Sequence, residues 1–172
     1  MLQLSANLIN RDVLSLRTGA PIARVTGIIL NQDSLKIEGL YCEDRFDKRQ
    51  LIRLHQDIRE FLPNGYVVND HEVLVEAEDL VRLKKVIDVD YQLIGKQVVT
   101  ESKQRIGKVS DFATEIETMM VQKLYVTQSV LKSFTGGSLS VDRTQVVETT
   151  KSKIIISELL KGERYAATAQ AS

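Results

Sequence analysis

Side chains able to do chemistry are few and scattered in this chain. His55 and His71 are the only histidines and stand 16 residues apart, Cys42 is the only cysteine, and no His-x-x-x-His or Cys-x-x-Cys spacing occurs. A zinc-type site needs three or four such ligands at close spacing, so no metal site is expected. Each histidine is expected at a loop or strand end. Acidic neighbours occur at Glu76, Glu78 and Asp79 and at Glu115 and Glu117. Alternate residues of a strand share a face, so such carboxylates could converge. Two carboxylates on one face are necessary for acid/base work but far from sufficient. Solvated surface is the expected role. Gly136-Gly137 lacks the Lys and Ser/Thr of a phosphate loop and is expected to be a turn, and no nucleophile elbow or triad pattern is present. No catalytic residue, metal ligand or cofactor is therefore expected.

Basic residues gather at Arg45, Lys48, Arg49 and Arg53, with Glu43, Asp44 and Asp47 interleaved, and a smaller group is Arg82, Lys84 and Lys85. Interleaved acids favour a mixed solvated loop over a phosphate track. The length and charge of that loop are hard to explain as packing, and loops on rigid scaffolds often carry recognition. Arg45, Lys48, Arg49 and Arg53 are thus the candidate partner-contact residues. Across the 172 residues Lys plus Arg is 23 and Asp plus Glu is 23, which disfavours a general polyanion binder. A single cysteine excludes an internal disulfide framework. Cys42 lies in an apolar run and is expected to be a buried small hydrophobe, since a reactive thiol needs exposed, electropositive surroundings. A reducing, cytoplasmic setting is expected. The amino-terminal stretch has no signal-peptide pattern. Ile28-Ile29-Leu30 and Ile154-Ile155-Ile156 are the longest aliphatic runs, far short of the roughly 20 residues a spanning helix needs. No membrane segment is expected in this chain.

The elements that must position these residues are written twice. Ile22-Ala23-Arg24-Val25-Thr26-Gly27 is matched by Ile106-Gly107-Lys108-Val109-Ser110-Asp111 at an offset of 84 residues, which also places Tyr125 on Tyr41 and Val98 on Leu14. A mostly β protein of two small domains follows, over 1–86 and 87–160, with a flexible tail at 161–172. Units of this size bury only roughly 60–65% of their unfolded surface, so the two are expected to pack together. In the first unit, Ile22 to Leu30 and Leu35 to Cys42 are expected strands joined by the turn Asn31-Gln32-Asp33-Ser34. Asp57 is expected to cap one helical turn with Ile58 and Phe61 facing inward, and Tyr66-Val67-Val68 to pair with Val73-Leu74-Val75 as a hairpin. Glu76 to Asp90 fits a short helix or a strand. In the second unit Glu115 to Met119 is a turn, and Ile154-Ile155-Ile156 is the counterpart of Val73-Leu74-Val75.

Leu93-Ile94-Gly95-Lys96-Gln97-Val98-Val99, then a polar turn, then Arg105-Ile106-Gly107-Lys108-Val109-Ser110-Asp111 resembles the signature of the PRC-barrel superfamily. The resemblance rests on Gly95, Ile106, Gly107, Lys108 and Val109, with Ile22, Arg24 and Val25 in the first copy, and covers about residues 6–158. The first copy departs from it, with Arg11 in the place of Gly95 and Ala23 in that of Gly107. The resemblance implies two tandem small β-barrels, each of about five to six short strands with short helical turns. Superfamily members include the cytoplasmic part of the photosynthetic reaction-centre H subunit, the carboxy-terminal half of a ribosome maturation factor, and stand-alone bacterial and archaeal proteins. None of these uses is an established catalytic activity of the barrel itself, and fold-level analogy alone does not define function. The leading expectation is a non-enzymatic interaction or assembly module with a protein partner. The alternative is a ribosome- or rRNA-associated factor, and a membrane-peripheral adaptor is a third reading.

Overall fold

The computed structural model of the chain describes residues 1–128 and 138–158. Its strands are β1 (Leu2–Leu4), β2 (Asp12–Ser15), β3 (Pro21–Leu30), β4 (Ile37–Asp44), β5 (Gln50–Leu54), β6 (Ile58–Leu62), β7 (Gly65–Val68), β8 (Gln97–Thr100), β9 (Arg105–Glu115), β10 (Met120–Thr127), β11 (Ser138–Asp142), β12 (Val146–Thr149) and β13 (Lys153–Ile156), with one short helix, α1 (Lys84–Val89). The protein is mostly β, as composition and spacing predict. One compact unit is Ser5–Tyr91, here the first unit. The second consists of Met1–Leu4 and the chain from Gln92 onward. The division thus falls after Tyr91 instead of at 86/87, because α1 makes its contacts with β3 and the turns before it. Met1–Leu4 leaves the unit it precedes because Leu2–Leu4 pairs antiparallel with Ala113–Glu115 of β9.

Each sheet has the same strand order. The first runs β5-β4-β3-β2-β7-β6 and the second β11-β10-β9-β8-β13-β12, with β1 added beside β9. In both, the pairing that brings the chain back is parallel, Asp12–Ser15 against Gly65–Val68 and Gln97–Thr100 against Lys153–Ile156. This register makes Tyr66–Val68 the counterpart of Ile154–Ile156, not Val73–Val75. The expected hairpin of Tyr66–Val68 with Val73–Val75 does not form, because β7 already pairs with β6 on one edge and β2 on the other. Val75 instead bridges Ile52, with backbone hydrogen bonds of 2.7 and 3.0 Å that cover part of the β5 edge. Among the described residues neither sheet closes into a barrel. β5 leads into β6 through the 3-10 turn His55–Asp57 without a ladder between them, and β11 leads into β12 through Arg143–Gln145 in the same way. The expected helical turn is therefore confined to His55–Asp57, and Phe61 lies in a strand. Glu76 to Asp90 is helical, as two 3-10 turns followed by α1.

Local chemistry explains the shared geometry. A β-bulge separates Val25 from Gly27 opposite Cys42 and Tyr41, and another separates Val109 from Asp111 opposite Val126 and Tyr125. The extra residue is Thr26 or Ser110, whose hydroxyl donates to the Tyr41 or Tyr125 carbonyl at 3.3 and 3.1 Å. Ser15 and Thr100, each 1% exposed, accept backbone N–H bonds from Thr18 and Gln104 at 3.3 and 3.2 Å. A carboxylate serves the same corner of each unit. Asp70 accepts from the Ser15 hydroxyl at 3.0 Å and Glu158 from the Ser102 amide at 2.8 Å.

Backbone pairing also corrects the match to Gly95. The Asn10 amide donates to the Val25 carbonyl at 2.9 Å, as the Gly95 amide does to Val109 at 2.8 Å, so Asn10 is the counterpart and Arg11 matches Lys96. The shift is one residue throughout this strand, and Val98 accordingly matches Val13. Asn10 has φ 59° and Gly95 φ 88°, and asparagine is among the few side chains that enter this region readily. Gly107 answers a different need, since a Cβ there would lie 2.1 Å from the Thr127 carbonyl oxygen. Urea unfolding is expected to find Gly95→Asn close to the parent in stability, Gly95→Val weaker by about 1–3 kcal/mol, and Gly107→Ala weaker by about 1–3 kcal/mol.

Candidate functional site

Strand alternation puts Leu40 and Cys42 of β4 on the same face as Leu51 and Arg53 of β5, paired Leu40 to Arg53 and Cys42 to Leu51. That face is interior. Arg53 is 0% exposed, although it was expected among the partner contacts. Its guanidinium lies 4.6 Å over the Tyr66 ring, and Tyr66 donates its hydroxyl to the Leu8 carbonyl at 3.0 Å while Phe61 stands edge-on to it. Arg53 Nη1 donates to the Leu54 carbonyl at 3.3 Å, and Nε and Nη2 find no acceptor among the described residues. Burial pushes the guanidinium below its ordinary pKa, offset in part by Cys42, Tyr66 and Asp57. Cys42 is also fully buried; burial raises its thiol to about 11, against a smaller opposing pull from Arg53. It is a protonated small apolar group at neutral pH.

A buried cation without a carboxylate costs several kcal/mol, and a desolvated cation–π contact returns only about 2 kcal/mol. The second unit shows that the sheet does not require the arrangement. Its register puts Val141 where the first has Arg53, Val126 where it has Cys42, and Ile154 where it has Tyr66, all three 0% exposed. Polar, charged and aromatic groups in one interior are matched by aliphatic groups in the other.

The other three candidate residues are on the surface, each facing a carboxylate. Arg45 pairs with Asp12 at 2.8 Å, Lys48 with Glu43 at 3.7 Å, and Arg49 with both Asp47 and Glu76 at 2.5 Å. The loop they occupy is anchored by Asp44, which is 1% exposed. Asp44 takes the Phe46 amide at 2.7 Å and contacts His71 Nε2 with its carboxylate, and its backbone bonds to Arg49 and Lys48. Phe46 sits on this frame edge-on to His71, ring centroids 5.7 Å apart, and is 74% exposed. Burial raises the Asp44 pKa, but the Phe46 amide and His71 outweigh it and hold the carboxyl below its ordinary value.

Signature residues do not converge on a site. Ile22, Val25, Ile106 and Val109 are core, and Arg24 and Lys108 point outward from β3 and β9. The turn expected at Gly136-Gly137 and the tail from 161 lie outside the described residues. Sequence reading missed a cleft of about 500 Å³ in the first unit, lined in part by Lys36, Glu38, Leu54, His55, Asp79 and Arg82. Among the described residues no three or more His, Cys, Asp or Glu side chains gather as a metal site, and no helix is long and apolar enough to cross a membrane. Compared with protein-family models and with curated proteins, the chain matches none.

Two expectations follow. Arg53→Met, which fills similar volume without charge, should raise stability by about 1–3 kcal/mol, whereas Arg53→Ala should lower it, as read by urea unfolding. Asp44 has its folded pKa below the unfolded value, so its contribution is present above about pH 4 and is lost as pH falls through the folded value. Asp44→Asn should lower the thermal midpoint at pH 7 and flatten its decline below about pH 4; an unaltered decline would remove Asp44 from the acid response.

Proposed function

We propose that the protein is a non-enzymatic interaction module of two PRC-barrel-like units, acting in the cytoplasm through a protein partner. The observation that carries this reading is Phe46. A large aromatic side chain, 74% exposed, stands on a loop whose acidic and basic groups are already engaged with one another. Rigid aromatic anchors of this kind dominate interface energetics, often by 2 kcal/mol or more. Ordering the loop in advance also spares a partner part of the entropy cost of binding. Leu16, 63% exposed, enlarges the apolar surface of the same unit. The repeated strand order supports reading the two units as copies of one scaffold. An rRNA-associated role draws less support from the loop, because Arg45, Lys48 and Arg49 each face a carboxylate instead of standing open for phosphate.

The test is capture from the cell's own lysate by purified tagged protein at low and high salt, with Phe46→Glu in parallel. One protein partner should persist at high salt with the parent, and its recovery should fall at least tenfold with Phe46→Glu, the equivalent of about 1.4 kcal/mol or more. Recovery of ribosomal components that leave as salt rises, or turnover of a bound substrate by the purified protein, would overturn the reading.

A further inference from the structure

The cleft of the first unit is lined by segments that differ in origin and agree in charge. Lys36 and Glu38 line it from alternate positions where β4 begins, with Ile37 buried between them. Asp79 and Arg82 line it from the successive 3-10 turns Ala77–Asp79 and Val81–Leu83. Each segment carries one cation and one anion. Leu54, Leu80 and Leu83 add apolar surface. None of the four charges stands in an ion pair among the described residues, although Arg17, Arg45, Lys48, Arg49 and Lys84 of the same unit all do. The polar contact made by Glu38 is with the Asn31 amide at 3.3 Å.

Charges of both signs left unpaired around apolar surface suit a ligand that brings both signs and an apolar body. A phosphate or other polyanion would be repelled by Glu38 and Asp79, and a polycation by Lys36 and Arg82. The volume, about 500 Å³, falls within the roughly 300–1,000 Å³ typical of small-molecule sites. The fold itself does not call for these groups. Leu35 and Met119 occupy the same left-handed turn position, with φ 55° and 56°, and donate to the Asn31 and Glu115 carbonyls at 2.9 and 2.8 Å. After that shared turn the first unit has Lys36 and Glu38, where the second has Met120 and Gln122. At the end of the next strand Leu54 is matched by Asp142. We propose that this cleft binds a small zwitterion with an apolar side chain, its carboxylate held jointly by Lys36 and Arg82, its ammonium jointly by Glu38 and Asp79, and its side chain by the leucines. A free apolar amino acid and a short apolar peptide share that chemistry. The proposal is independent of Phe46 and goes beyond the interaction reading.

The test is an amide NMR titration of the whole chain with three probes: leucine, leucyl-leucine and the uncharged N-acetyl-leucinamide. Saturable shifts confined to residues 36–38, 54–56 and 79–83 are expected with at least one zwitterion, at concentrations below about 10 mM. Tighter binding of leucine identifies a free amino acid as the ligand class, and tighter binding of leucyl-leucine a peptide. N-acetyl-leucinamide should bind at least tenfold more weakly. Asp79→Asn and Arg82→Gln, both at exposed positions, should each weaken the zwitterion about fivefold or more while leaving the rest of the spectrum in place, as loss of a charged contact implies. Absence of saturable shifts with either zwitterion, equal binding of N-acetyl-leucinamide, or affinity unchanged in both variants would overturn the proposal.

Discussion

The parallel seam, β2 against β7 and β8 against β13, is the constraint on which the rest of each unit depends. Parallel neighbours cannot be joined by a tight turn, so the chain must leave the first strand, build the meander, and come back. In the first unit that return occupies the edge of β2 not already paired with β3, and with β6 on its other side it leaves β7 with no free edge. Val75 is left to bridge β5 at Ile52. The seam also aligns the ends of its strands. Val68 and Ile156 offer carbonyls to the Leu16 and Glu101 amides at 2.8 and 3.0 Å, and the buried Ser15 and Thr100 hydroxyls complete the same corners. A polar corner of this kind is tolerable inside a small β unit only because its groups are hydrogen-bonded.

Matching positions through the ladders separates two kinds of residue. Where both units agree in chemistry, the agreement has a backbone reason: Asn10 and Gly95 for a left-handed turn, Thr26 and Ser110 for a bulge, Ser15 and Thr100 for a corner. Where they disagree inside the same geometry, the fold has no stake in the choice. Arg53 against Val141, Tyr66 against Ile154, and Lys36 against Met120 belong to this second kind. The first unit carries the uncommon side chains in each case.

Much of this was legible in the chain. The β-branched runs gave the long strands, and Asn31 gave the first turn, its Oδ1 accepting from the Asp33 and Ser34 amides at 3.0 and 3.2 Å. What failed to show was whatever depends on register. Arg53 follows a charged segment and reads as its continuation, because nothing in Leu51-Ile52-Arg53-Leu54 says which alternate residues turn inward. Asn10 was hidden by a one-residue slip that no local pattern marks, and a slip of one reverses every face of a strand. The cleft was out of reach for the same reason at longer range, since Lys36 and Arg82 come to line one cleft only once the chain has folded. The open sheets are a tertiary result as well: a turn of three residues between β5 and β6 is as compatible with a closed ladder as with none.

The pairing of Leu2–Leu4 with β9 has a consequence for how the protein is made. During synthesis those residues leave the ribosome before the first unit, and their partner strand emerges only after the whole of it, at about 5–20 residues per second. The first unit, Ser5–Tyr91, has every one of its own strands in hand by then. The segment must wait as an unpaired strand until its partner is made, and its eventual docking reports that translation has passed β9.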